Sequence, residues 1–132
     1  MRWNKSTSLA LYAAVEMARS DGAPVTAAAV AAKHHVSVHH LSKVLQRLAR
    51  AGVARTVLGT KGGYLLARPA KDVSVAEIVE IFEGPVDFAR CMMNDGRRPC
   101  DERADCRIKR LFDEVERQAH FTLRSTRLSM LV

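Results

Sequence analysis

Apolar residues recur at helical spacing from the start of the chain. Leu9, Ala10, Ala13, Ala14, Met17 and Ala18 mark one face of a first helix, with Ser6, Thr7 or Ser8 as its expected cap. Asp21-Gly22-Ala23-Pro24 ends it. Thr26 caps a second, alanine-rich helix reaching about Lys33, with Val30 turned inward. The run His34-His35-Val36-Ser37 breaks the pattern. A third helix follows from about Val38 to Ala51, capped by Ser37 and closed by Gly52, with Leu41, Val44, Leu45 and Leu48 on its apolar face. Val53–Leu58 and Tyr64–Ala67 then read as strands around the glycine-rich loop Gly59-Thr60-Lys61-Gly62-Gly63. Ser74-Val75-Ala76-Glu77 is a capping box for a short helix to about Phe82, packed through Val75, Ile78, Val79 and Phe82.

Beyond position 106 lies the longest periodic stretch, about seventeen residues long. Ile108, Leu111, Phe112, Val115, Ala119, Thr122 and Leu123 fall on one face, and Arg107, Arg110, Asp113, Glu114, Glu116 and Arg117 on the other. So small a body has little core left to cover that stripe. Pairing with the same helix of a second copy is the economical solution, and a twofold dimer matches a palindromic operator. The last residues, from Ser125 to Val132, are expected to add a short capped turn against this helix pair.

Two helices joined by a tight turn, the second with a polar outer face, have the spacing of a helix-turn-helix. A basic glycine-rich hairpin directly after it makes the unit a winged helix. The fold class is therefore mainly α with a small β-hairpin wing, plus a long dimerisation helix. We divide the chain into a winged DNA-binding unit (1–84), a loop (85–106), and a dimerisation helix with its tail (107–132). Ser37, His39, His40, Ser42, Lys43, Gln46, Arg47 and Arg50 are the candidate DNA contacts on the second helix of the motif. Thr60, Lys61 and Gly62 are those of the wing, where glycine lets backbone approach phosphate.

Composition sharpens this picture. The formal charge is +7, which suits a phosphate-rich partner and equally a basic, soluble surface. No apolar run is long enough to span a bilayer, and the first residues carry no cleavage signature, so a cytoplasmic location is expected. No residue set forms a nucleophile–base pair or a phosphate-binding loop, and we expect no enzyme.

All three cysteines, Cys91, Cys100 and Cys106, fall within one polar stretch rich in Gly, Pro, Asn, Asp and Arg. An odd count cannot be fully paired as disulfides, and packing does not require three thiols on a polar loop. The stretch reads as a metal or iron–sulfur site. Zinc loops usually begin with a closely spaced cysteine pair, absent here, and the same absence argues against a ferredoxin-like carrier. Arg90, Arg97, Arg98, Arg103 and Arg107 would offset the charge of a thiolate-held cluster. His34, His35, His39 and His40 straddle a turn, so DNA contact or exposure suits them better than metal binding.

Several of these pieces together resemble one family. They are Met1-Arg2 with Leu9-Ala10-Leu11, the wing Gly59-Thr60-Lys61-Gly62-Gly63-Tyr64-Leu65-Leu66, Arg68-Pro69-Ala70, and Cys91, Cys100, Cys106 followed by Arg107-Ile108-Lys109. The chain is similar over essentially its whole length to the Rrf2 family of bacterial iron–sulfur transcription regulators. The resemblance implies a dimeric winged-helix repressor of double-stranded promoter DNA. It also implies one cluster per subunit, bound between the loop and the partner's N-terminal helix.

The fourth ligand is open. Lys109 stands where the iron–sulfur-assembly branch has histidine, and Ser8 where nitric-oxide sensors have aspartate. Ser8, Asn4, Asp105, His120 or a small exchangeable molecule are the candidates. Leu58 replaces an arginine that the assembly regulator's wing aims at DNA. We favour a four-iron over a two-iron cluster, sensing nitric oxide, iron status or redox state. The rivals are a cluster-free thiol-redox regulator and an iron–sulfur carrier or redox protein.

Overall fold

Asn4, rather than one of the three hydroxyl residues that follow it closely, starts the first helix in a computed structural model of the chain, which describes residues 3–85 and 106–132. Its side-chain oxygen accepts from the Thr7 amide at 2.9 Å. An Asn cap of this kind satisfies a donor that has no partner within the helix. The hydroxyls expected to cap are used elsewhere: Ser6 reaches His40, and Thr7 reaches Glu83.

Helix α1 spans Lys5–Arg19, α2 Ala27–His34 and α3 Val38–Arg50. Thr26 and Ser37 cap α2 and α3 through their hydroxyls, at the positions the sequence predicts. His35 takes left-handed geometry (φ 54°) at the end of α2 and turns the chain toward α3. That turn lets α2 and α3 pack together, and Leu41, Val44, Leu45 and Leu48 bury their side chains in a core shared with α1.

Strands β1 (Ala54–Val57) and β2 (Gly63–Leu66) pair antiparallel, with Ala54 opposite Leu66 and Val57 opposite Gly63. The turn between them needs glycine at one place above all. A Cβ at Gly62 would stand 2.2 Å from the Val57 carbonyl oxygen. The outer edge of β2 is occupied as well: Val25 and Tyr64 exchange both backbone hydrogen bonds, at 2.9 and 2.8 Å. The hairpin is thereby tied to the residue just before α2's cap.

Helix α4 (Val75–Glu83) packs on α1 through Val75, Ile78, Val79 and Phe82. Ser74 accepts from the Glu77 amide, but the reciprocal half of the expected capping box is replaced, because the Glu77 carboxylate pairs with Arg68. Helix α5 (Arg107–Ser125) is two residues longer than the estimate from periodicity. It lies against α4 without burying any of its own residues.

The tail forms the expected short turn, Leu128–Leu131, and returns to the winged body. Val75 N–H donates to the Thr126 carbonyl at 2.9 Å, and Leu128 N–H to the Val73 carbonyl at 3.0 Å. Leu128 is fully buried in the shared core, its turn packing on α1 and on the short turn at Ala70–Asp72. Residues of the last and first thirds of the chain thus share one core.

Candidate DNA-binding face and cysteine site

The polar side of α3 is set by its own apolar stripe. With Leu41, Val44, Leu45 and Leu48 buried, Ser37, His39, Lys43, Gln46 and Arg50 are left exposed, and Ser42 half-buried. The cap Ser37 and the first turn, with His39, form the end that helix-turn-helix proteins turn to the major groove. Thr60 and Lys61 are exposed at the tip of the hairpin, and Gly62 is half-buried beneath it. Leu58, at 92% exposure, stands bare beside them.

Two of the candidate contacts already have partners within the protein, although Arg47 is as exposed as the rest of the face. His40 is half-buried, with Nε2 3.0 Å from Ser6 Oγ of α1. Arg47 donates through Nη2 to the Ile81 carbonyl of α4 at 2.7 Å.

Behind this face, the helix-turn-helix is fastened to α1 by charge. Glu16 accepts from Lys33 Nζ at 2.7 Å, with Arg19 and His34 each at 3.7 Å. The Lys33 hydrogen bond holds the Glu16 carboxyl below the usual glutamate range; burial opposes this, and the neighbouring positive charges reinforce it. The Tyr12 and His34 rings stack at 4.9 Å over the same contact.

The cysteine site is seen at its last member. Cys106 is the N-cap of α5, and its sulfur accepts from the Lys109 amide at 3.4 Å. It is half-buried and unpaired by any disulfide. A ligand sulfur fits there, because the amide-rich end of a helix favours negative charge. Cys91, Cys100 and Asp105 lie outside the described residues. Among the described residues, no three His, Cys, Asp or Glu side chains come together as a metal-binding group.

Of the fourth-ligand candidates, Asn4 spends its side-chain oxygen on the α1 cap and its amide on the Phe82 carbonyl, while Ser8 is half-buried on the same helix. His120 stands fourteen residues along α5 from Cys106, about 21 Å at the helical rise, and so cannot share an ion with it in one subunit. Its Nδ1 lies 3.9 Å from Glu80 instead.

Sequence reasoning missed the contacts that hold the face in place. Asn4 N–H and the Thr7 hydroxyl both donate to Oε1 of Glu83, and nothing local in either segment announces that pairing.

Helix α5 leaves Ile108 66%, Leu111 61% and Val115 51% exposed, with Phe112 beside them. These fall on the stripe read from the sequence. Its later members, Ala119 and Leu123, are half-buried. No helix among the described residues is long and apolar enough to cross a membrane.

Comparison with known proteins bears on all of this. The family model named Rrf2, described as an iron-dependent transcriptional regulator, matches residues 3–132. The proposed helix-turn-helix transcriptional regulator BadM of Rhodopseudomonas palustris is 35% identical over the whole of this chain and 81% of its own length. The transcriptional regulator IscR of Cereibacter sphaeroides is 30% identical over the whole of this chain and 87% of its own. Among solved structures, the cysteine regulator CymR of B. subtilis superposes with a TM-score of 0.80 at 21% identity, over 99% of this chain and 95% of its own. IscR of T. potens gives 0.76 at 23%, over 99% and 86%. At such identities the structures speak to the fold, which is theirs.

Proposed function

From the premise that the chain belongs to the Rrf2 family of DNA-binding transcriptional regulators, we propose a homodimeric repressor of promoter DNA whose affinity is set by an iron–sulfur cluster on Cys91, Cys100 and Cys106. The observation that carries this reading is the position of Cys106. One sulfur of the triad is itself the cap of the helix whose bare apolar stripe suits a second copy. When bound, the cluster would supply an iron centre open to nitric oxide, oxygen or iron supply; the long first cysteine spacing favours four irons over two.

The chain's own residues do the rest. Cys106 holds the start of α5 through the Lys109 amide, so a change at its sulfur is a change in the capping of that helix. Ile108, Leu111, Phe112 and Val115 give the dimer its apolar seam. Ser37, His39, Ser42, Lys43, Gln46 and Arg50, with Thr60, Lys61 and Gly62 of the wing, face the duplex. A dimer presents two such faces, and DNA affinity depends on their spacing. Ser8 of the partner subunit, Asp105 or a small exchangeable molecule completes the ligand set.

Native mass spectrometry of anaerobically purified protein tests this, reading iron and sulfide per dimer. Stoichiometric iron that is lost in Cys91→Ala, Cys100→Ala and Cys106→Ala, together with DNA affinity that changes on nitric oxide treatment, is the expected result. Iron-free protein that forms an oxidant-induced disulfide and then releases DNA would replace the cluster by bare redox thiols.

A further inference from the structure

Arg47 belongs by sequence to the polar side of the recognition helix, yet its guanidinium is committed to α4. Nη2 donates to the Ile81 carbonyl at 2.7 Å, and Cζ stands 4.7 Å from the centre of the Phe82 ring. Ile81 and Phe82 lie in the last turn of α4, where carbonyls have no donor within the helix. Three of these carbonyls are met here, one by the helix's own cap and two by other elements. Gly84 N–H serves Glu80, the Asn4 side-chain amide serves Phe82, and Arg47 serves Ile81. The planar cation also complements the negative end of that helix while stacking on the ring.

Helices α3 and α4 both pack on α1. Arg47 adds a direct tie between them, and the Ser6–His40 contact tethers the other end of α3. We propose that Arg47 is a positioning residue: it fixes the angle of the recognition helix against the end of α4 and makes no phosphate contact. The inference needs only that the family binds DNA, and it stands whether or not a cluster is present.

The test uses the full chain and a duplex selected from random-sequence DNA by the unaltered protein. Binding is followed by fluorescence anisotropy over a series of KCl concentrations, and each variant is melted to verify its fold. Arg47→Ala should weaken binding about three- to tenfold, the scale of one hydrogen bond and one cation–π contact, without changing the slope of log K against log salt. Arg47→Lys, which keeps the charge but not the planar fork, should bind as weakly as Arg47→Ala. Phe82→Leu alters no residue of the DNA face, yet it should weaken binding by a similar factor. The double variant Arg47→Ala/Phe82→Leu should be no worse than the poorer single one. A slope reduced by about one in Arg47→Ala, or full binding by Arg47→Lys, overturns the proposal. So does a folded Phe82→Leu that binds normally; if that variant melts too low to assay, the slope and Arg47→Lys decide.

Discussion

The buried hydroxyl of Thr7 donates to Oε1 of Glu83, joining the first turn of α1 to the last residue of α4 across 76 positions of sequence. Thr7 is the one fully buried polar residue in the described core, and its single hydroxyl hydrogen is shared between Glu83 and the Asn4 side-chain oxygen. Thr7→Val keeps the volume and removes both bonds. It should cost about 1–3 kcal/mol, the scale of one hydrogen bond to a charged group. Thermal melts followed by circular dichroism would show a fall of several degrees; an unchanged midpoint would mean that this contact contributes nothing.

Leu128 lies four positions before the end of the sequence and is fully buried. Leu128→Ala should destabilise by about 2–5 kcal/mol, the range for emptying a leucine site in a close-packed core. Urea denaturation would measure it. A loss below 0.5 kcal/mol, the range of an ordinary surface change, would show that the tail is a surface appendage.

Lys43 and Lys61 are exposed on the recognition helix and at the wing tip. Lys43→Ala and Lys61→Ala should each weaken DNA binding and lower the salt slope by about one, as expected when one phosphate contact is lost. Anisotropy titrations across KCl concentrations report both. Unchanged slopes would place these lysines away from the backbone of the duplex.

Glu16 gives a pH signature. Its carboxyl is held below the usual range in the folded chain, first by the Lys33 hydrogen bond. The stability it contributes is therefore complete above the unfolded-state pKa and is lost as pH falls through the lower folded value. Lys33→Met should move the Glu16 titration up toward the ordinary range, as seen by carboxyl-carbon NMR. The variant should also lose less stability than the unaltered protein on acidification through that window. A Glu16 titration that ignores Lys33→Met would remove this assignment.

The bare stripe of α5 should govern assembly. Leu111→Glu with Val115→Glu places charge where two helices would meet, at a cost of several kcal/mol in a dry seam. Sedimentation should then show a monomer with unchanged helix content. A persistent dimer would put the interface elsewhere.

How much of this was legible in the sequence follows from what each signal encodes. The stripe of Leu41, Val44, Leu45 and Leu48 fixes α3 because helical spacing is local. Thr26, Ser37 and Ser74 announce their helices for the same reason. The wing could be read from its glycines and lysine. At α1 the local signal was ambiguous, since Asn4, Ser6, Thr7 and Ser8 can all cap; distant partners, His40 and Glu83, decided among them. The tail's attachment was not legible, because a capped turn says nothing of the surface it meets, and Val73 supplies one such surface. The partner of Arg47 was hidden for a different reason: a helical wheel gives the direction of a Cα–Cβ bond, whereas a long side chain can fold back to a carbonyl. For the cysteines, the spacing was legible and the structure adds only the placement of Cys106.

Leu128 also decides where α5 is held. The chain leaves α5 at Thr126 and is fastened within two residues to Val73 and the core, so that end of the helix is anchored to the winged body. Cys106 sits at the opposite tip of a nineteen-residue arm, about 28 Å away at the helical rise. The cap sulfur and the buried leucine thus stand at the two ends of one continuous helix that rests on α4 along the way.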